Sequence, residues 1–168
     1  MTTNPARRVG AKMKHLQLIV VGLFVGSVAG CNWLTANAPR PLGRAAMLEL
    51  YLVSAAAVPN SQAAVAPGTG NTIYLVTPPI ITSADVATVQ KPQQTAGQPG
   101  LAVNLSPAGA QKLAAATAGA HGQSLAIVAN GNVISVAKIK STLSTSLVVS
   151  AGGQSKFWDD LFEQLTGD

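Results

Sequence analysis

Residues 101–139 read LAVNLSPAGAQKLAAATAGAHGQSLAIVANGNVISVAKI. Apolar side chains alternate along residues 101–105, which predicts a strand. Ser106, followed by a proline, predicts the start of a helix. The dipeptide Asn130-Gly131 separates two apolar runs and is typical of a two-residue type I′ hairpin turn. A strand, a helix and a hairpin in succession indicate an α+β unit.

Three further segments carry strand patterns. In residues 47–53 three leucines alternate with other side chains and form one apolar face. Residues 72–76 and 147–149 are short apolar runs rich in β-branched side chains, and the second is a candidate edge strand. Residues 54–71 contain two prolines and two glycines, so they are predicted to be a long loop and a candidate flap.

Two more helices are predicted outside the central segment. Thr82 and Asp85 have the spacing of a capping box, so we expect a short helix that packs through Val86 and Val89. Residues 154–168 form an amphipathic pattern with acidic side chains away from the apolar side. The apolar side consists of Phe157, Trp158, Leu161, Phe162 and Leu165. These side chains either pack on the rest of the domain or contact a partner or a membrane surface.

These elements define the expected fold class. We expect a small α+β domain over residues 47–153, with its core in residues 72–150. Two helices pack on one face of a small antiparallel or mixed sheet, and residues 154–168 add a C-terminal amphipathic helix.

The N-terminal region has the features of an export signal. Four basic side chains precede the apolar run of residues 16–30, and Cys31 follows small residues directly. The segment resembles the lipobox of bacterial lipoproteins, which implies cleavage between Gly30 and Cys31 and lipidation of the cysteine. Residues 31–46 are then a tether, and the protein is held at the extracytoplasmic side of a membrane. Asn32 is not the aspartate of an inner-membrane retention signal, so the outer membrane is favoured where there are two.

Composition excludes several classes of function. Four of the 11 basic residues lie in residues 1–30, which leaves seven against six acidic residues in residues 31–168. No basic cluster remains there, so nucleic-acid binding is rejected. The single cysteine, once lipidated, leaves no thiol for a disulfide.

No catalytic, metal or cofactor site is predicted. A triad of His121, Ser124 and Asp85 is conceivable, but no nucleophile motif accompanies it. Beyond residues 1–30 the sequence has a single histidine, His121, and one histidine without a thiol cannot supply a zinc site. The acidic side chains of the last helix are more typical of a solvated face than of a calcium site.

Residues 79–152 resemble the head subdomain of the first periplasmic domain of SecD, a subunit of the bacterial protein-export machinery. The similar segments are PIITSADVATVQ (79–90), residues 101–139 and LVVSAGG (147–153). The resemblance implies a non-enzymatic domain that contacts extended polypeptide emerging from the translocon. SecD-type proteins also have several membrane helices and a base subdomain, for which this sequence offers no counterpart.

Two functional hypotheses follow. In the first, a lipid-anchored module binds unfolded polypeptide, the translocon or envelope proteins through an exposed strand edge. In the second, a scaffolding lipoprotein docks on one folded partner through Phe157, Trp158, Leu161 and Phe162. Neither hypothesis involves an enzyme.

Overall fold

A computed structural model of the chain describes residues 38–92, 99–143, 145–150 and 155–167. All of them belong to one compact unit, Cys31–Asp168. The strands are β1 (Leu48–Ser54), β2 (Ser61–Val65), β3 (Thr72–Val76), β4 (Val86–Gln90), β5 (Leu101–Leu105), β6 (Ser124–Ala129), β7 (Asn132–Lys138) and β8 (Ser146–Val149). The helices are α1 (Pro107–Ala118) and α2 (Ser155–Thr166). The predicted α+β class with a C-terminal helix is confirmed.

The strands form two antiparallel sheets rather than the single sheet that we expected. The larger sheet has the order β2-β3-β1-β6-β7, and the smaller has the order β4-β5-β8. One apolar core receives side chains from both sheets and from both helices. The fully buried side chains include Leu48, Leu50, Val103, Leu113 and Leu165.

Helix α1 begins as predicted and lies very close to the turn before β4. The Ser106 side chain accepts a hydrogen bond from the Gly109 amide at 3.1 Å, and the Ser106 amide donates to the Asp85 carbonyl at 2.8 Å. A Cβ on Gly109 would lie 2.5 Å from the Asp85 carbonyl oxygen. Only glycine therefore allows the helix to approach this turn without displacement.

The far end of α1 is joined to the chain before β8 by a buried threonine. The Thr117 hydroxyl donates to the Leu113 carbonyl at 2.8 Å and accepts from the Leu143 amide at 3.0 Å. Thr117 is fully buried. The hydroxyl thus provides an acceptor for one backbone amide of a segment that belongs to no helix or strand.

The β6–β7 hairpin is confirmed in the predicted form. Asn130 and Gly131 both have positive φ, 49° and 80°. Type I′ turns require positive φ at both central positions. The turn matches the right-handed twist of the paired strands and fixes their register.

The prediction of a helix after Thr82 is wrong. The capping box forms, since the Thr82 amide donates to the Asp85 carboxylate at 3.1 Å, but it caps only a single 3-10 turn, Ser83–Asp85. Val86–Gln90 is instead β4, paired with β5. Three of these five residues are β-branched, and Val89 is fully buried between its neighbours.

The predicted loop at residues 54–71 contains a strand. Ser61–Val65 is β2 and pairs with β3 along its whole length. The glycines lie in the β2–β3 turn, where Gly68 and Gly70 have positive φ. The predicted flap is therefore a hairpin of the larger sheet.

The described part of the predicted tether packs on the domain. Arg40 exchanges backbone hydrogen bonds with Val89 at 2.8 and 2.7 Å, and the Gly43 amide donates to the Leu165 carbonyl at 2.8 Å. Ala46 is buried. Residues 38–46 therefore form part of the folded unit, in contrast to our expectation.

Candidate binding surfaces

Helix α2 directs most of its predicted partner-binding side chains into the core. Trp158 and Phe162 are each 2% exposed, and Leu161 is also buried. Phe157 is 47% exposed and packs edge-on against Trp158, with ring centroids 5.2 Å apart. Of the four predicted partner-contacting side chains, Phe157 alone is open to solvent.

Basic side chains hold the buried side of α2 against the rest of the domain. Arg40 and Lys91 lie 5.6 and 5.3 Å from the centre of the Phe162 ring. Lys91 also forms an ion pair with Asp159 at 2.7 Å. Cations over an aromatic face are attracted by its quadrupole, so these contacts favour the packed position of the helix.

The acidic face of α2 is occupied by ion pairs. Asp159 contacts Lys91, and Asp160 accepts from Lys156 one turn earlier at 2.9 Å. Within the described ranges, no group of three or more His, Cys, Asp or Glu side chains is placed to hold a metal ion. The structure thus gives Asp159 and Asp160 a pairing role.

Asp85 is engaged with groups other than His121. One carboxylate oxygen accepts from Lys112 at 2.7 Å, and the other accepts from the Thr82 amide and hydroxyl at 3.1 Å. The hydrogen bond from Lys112 lowers the pKa of Asp85 below its usual value of 3.8, against the effect of burial. This carboxylate joins α1 to the turn before β4, so the structure gives no support to a role for Asp85 in orienting His121.

The outer face of the larger sheet carries a second apolar cluster, which we call the outer-face cluster. It consists of Tyr51, Leu75, Ala126 and Val128. The Tyr51 hydroxyl donates to Glu49 at 2.9 Å. Burial, followed by the hydrogen bond from Tyr51 to Glu49, raises the pKa of Tyr51 to about 12.

The turn of the β2–β3 hairpin lies near β7. A cavity of about 460 Å³ is lined by the turn residues Ala66–Thr69, by Ser135 and Val136 of β7 and by Ser150 after β8. In a flat sheet, β2 and β7 would lie about 19 Å apart, since neighbouring strands are about 4.8 Å apart. A cavity of this size touches both only if the hairpin bends toward β7.

Strand β8 is an open edge, as its sequence predicts. It is the last strand of the smaller sheet, and the opposite edge, β4, is partly covered by the backbone pairing of Arg40 with Val89. The Leu105 amide donates to the Thr145 carbonyl at 2.9 Å. Because antiparallel pairs alternate, the backbone groups of Leu147 and Val149 also face β5, whereas those of Ser146 and Val148 face the open side.

A groove separates β8 from β7, the last strand of the larger sheet. This β7–β8 groove has a volume of about 240 Å³. Its walls are residues 135, 137 and 138 on β7 and residues 146–150 on and after β8, and its floor includes Leu125 and Ile127. The sequence predicted the β8 wall but not the β7 wall, because which strand ends a sheet depends on pairing between distant segments.

The predicted lipidation site, Cys31, and the predicted cleavage position at Gly30 lie outside the described residues. Among the residues that the structure does describe, no helix combines the length and the apolar character needed to cross a bilayer.

The arrangement of strands and helices can be compared with known proteins. A family model described as the SecDF P1 head subdomain matches residues 55–166. That match covers more than half of the chain. The chain belongs to the SecDF P1 head subdomain family. No curated protein sequence matches it.

Two solved structures of SecDF share the fold of this family member. One shows SecDF in a super-membrane-facing form, with 19% sequence identity and a TM-score of 0.53 over 69% of this chain and 18% of that chain. The other, of a membrane component SecDF that enhances protein export, has 19% identity and a TM-score of 0.53 over 77% of this chain and 62% of that chain. The chain therefore spans less than two-thirds of either SecDF chain.

Membership in the family places the domain type outside the cytoplasm. The P1 head subdomain of SecDF is extracytoplasmic, and SecDF is part of the protein-translocation machinery. The predicted resemblance to the SecD head is confirmed, and it extends through α2, since the matched range ends at residue 166.

Proposed function

We propose that this chain is a lipid-anchored, non-enzymatic envelope protein whose head-like domain binds polypeptide outside the cytoplasmic membrane, as an accessory to protein export. The observation that carries the proposal is membership of the SecDF P1 head family over residues 55–166. One similar structure belongs to a membrane component that enhances protein export. The proposal transfers only the extracytoplasmic binding role of such a head.

The open edge of β8 supports polypeptide as the ligand. An exposed strand edge offers backbone donors and acceptors at a fixed spacing, and extended peptides pair with such edges with little dependence on sequence. Polypeptide in transit across a membrane is unfolded and presents its backbone. An unfolded polypeptide therefore fits a strand edge better than the surface of a folded partner would.

Crosslinking to export substrates tests the binding role. The full chain is expressed in a secreting bacterium, and exported precursors are trapped during transit and crosslinked. We expect adducts well above those formed by an unrelated lipoprotein at equal abundance. Equal yields from the two lipoproteins would contradict the proposed binding role.

The membrane anchor is tested separately at Cys31. We expect the chain to incorporate labelled palmitate and to fractionate with the envelope, in the outer membrane where there are two. The Cys31→Ser variant is expected to lose the label. An unlabelled wild-type chain in the cytosol would contradict both the anchor and the proposed location.

Docking of a folded partner through α2 has less support. Trp158, Leu161 and Phe162 are buried, so a partner cannot reach them while the helix remains in place. Only Phe157 offers an accessible apolar contact on this helix from the predicted set. An isolated aromatic ring is a small surface for a stable interface.

A further inference from the structure

We infer that an extended polypeptide segment binds in the β7–β8 groove by pairing with the open edge of β8. In the bound segment, the side chains that face the groove floor are small or branched and uncharged. An acidic group of the same segment lies beside Lys138. This inference rests on the proposed binding of polypeptide and names its site and preferred ligand.

Among the described residues, both walls of the groove present backbone edges that no other strand pairs with. On β8 these groups belong to Ser146 and Val148. On β7, the Ile139 amide donates to the Gln123 carbonyl at 2.8 Å, so alternation along the pair turns the backbone groups of Val136 and Lys138 away from β6. Within the described residues, no backbone hydrogen bond joins β7 to β8. Another extended backbone is the ligand that matches the spacing of such edges.

The groove floor favours alternating small side chains. Leu125, Ile127, Leu147 and Val149 are all buried at the floor or on the inward side of β8. Successive residues of a bound strand would point alternately to this floor and to solvent. The volume of about 240 Å³ is below the roughly 300–1,000 Å³ of small-molecule pockets, so it favours a narrow strand.

The charge of one lysine gives this groove a preference for the charge of the bound segment. Among the described residues that line the groove, Lys138 is the one with a charged side chain. It is exposed, and within the described ranges it forms no ion pair. A carboxylate on the bound segment would complement this ammonium group, whereas a basic side chain there would be repelled.

The other open edge, β2, is a poorer site for a strand. None of its five residues is buried, whereas Leu147 and Val149 of β8 are, so β2 itself offers a bound strand less apolar surface than β8 does. The backbone groups of β2 nevertheless alternate in the same way as those of β8, because the Ala66 amide donates to the Asn71 carbonyl at 2.9 Å. The backbone groups of Val65 therefore point away from β3, as those of Val148 point away from β5. Val65 and Val148 are 63% and 68% exposed and form a matched pair.

Proline substitution at these two positions tests the groove. Proline at either position removes an amide that faces the open side, so pairing within the sheet is retained. The probe is a fluorescein-labelled eight-residue peptide of alternating valine and threonine with one terminal glutamate, titrated by anisotropy into the full chain in detergent. We expect Val148→Pro to weaken binding by about tenfold and Val65→Pro to leave it unchanged. Equal effects of the two variants, or no binding by the wild type, would overturn the inference.

The charge preference is tested with Lys138→Glu and a peptide ending in lysine. We expect the wild type to prefer the glutamate peptide by about threefold and the variant to reverse the order, since an exposed ion pair has an effect of this size. An unchanged preference would overturn the role of Lys138.

Photo-crosslinking separates this site from the broader function and needs no proline. A benzoylphenylalanine residue replaces Val148 in one variant and Val65 in another, in cells that export a trapped precursor. Adducts from position 148 alone support the groove. Adducts from position 65 alone overturn the groove while leaving polypeptide binding intact, and a lack of adducts from either position overturns the groove. Self-adducts of this chain at position 148 show that a second copy occupies the edge and also overturn the inference.

Discussion

At the scale of single residues, Gly109 gives the sharpest prediction. In an ordinary helix interior, glycine-to-alanine substitution stabilises the fold by about 1 kcal/mol. Here the added Cβ would lie 2.5 Å from the Asp85 carbonyl oxygen, so we expect Gly109→Ala to lower the free energy of unfolding by about 2 kcal/mol. Urea denaturation measures the change.

Gly119, at the end of the same helix, provides the control. No described atom lies within 4 Å of a Cβ built there, and its φ is negative. Gly119→Ala is expected to leave stability unchanged or slightly raised. If the two alanine variants were equally stable, the close approach of α1 to the Asp85 turn would be wrong.

The Asp85–Lys112 contact predicts a specific loss of stability in acid. The pKa of Asp85 is lowered in the folded state, chiefly by the hydrogen bond from Lys112. The contact therefore contributes in full above the usual carboxyl value near 3.8 and loses its contribution as the pH falls below that value through the folded-state pKa. We expect Lys112→Met to lower the free energy of unfolding at pH 7 by about 1 kcal/mol, because the lysine is half exposed.

Denaturation at pH 7, 4 and 3 checks this prediction. The difference between wild type and Lys112→Met should be nearly the same at pH 7 and pH 4 and clearly smaller at pH 3. Lys156→Met is the matched control, since Lys156 contacts the more exposed Asp160 on the surface of α2, and it should change stability little at any of these values. A difference that stays constant with pH would show that the contact does not depend on ionised Asp85.

At the scale of elements, local signals were sufficient where a segment's structure is decided by its own residues. The positive-φ turn at Asn130-Gly131 and the Ser106 cap are both formed as predicted. The capping box at Thr82 is also present, yet the following residues form a strand. A cap fixes only one turn, whereas the pairing of β4 with β5 brings together segments separated by a linker and depends on the rest of the sheet.

The junction between α1 and the segment before β8 gives the prediction that belongs to this scale. Thr117→Val removes the hydroxyl that accepts from the Leu143 amide and leaves that amide without its partner. We expect a loss of about 1–3 kcal/mol in stability and faster hydrogen exchange at the Leu143 amide. Thr117→Ser keeps the hydroxyl and should retain slow exchange. Equal exchange rates in the valine and serine variants would contradict the role of the hydroxyl.

At the scale of the whole molecule, sheet order lies beyond local sequence patterns. The strand over 47–53 was predicted from its leucines, but its central place between β3 and β6 comes from long-range pairing. The same is true of the candidate site. The β8 edge was predicted from a short apolar run, whereas the β7 wall of the groove follows from two sheets ending beside each other.

Removal of α2 tests how far the whole fold depends on it. Four of its side chains are buried in the shared core (Trp158, Leu161, Phe162 and Leu165). Burial of each contributes about 1.5–3 kcal/mol, or roughly 6–12 kcal/mol together, which is comparable with the roughly 5–15 kcal/mol of a typical domain. We therefore expect a chain truncated after Gly153 to lose cooperative thermal unfolding by circular dichroism.

The control for this truncation is a surface change on the same helix. Phe157→Ser removes the exposed ring and should leave the melting transition cooperative, with little change in its midpoint. The truncated chain could still unfold cooperatively yet no longer form a specific complex, and Phe157→Ser could weaken the same complex. That combination would show that α2 is a docking helix. Unfolding of the truncated chain, with complexes intact in Phe157→Ser, would instead establish the buried side chains as core that the binding domain requires.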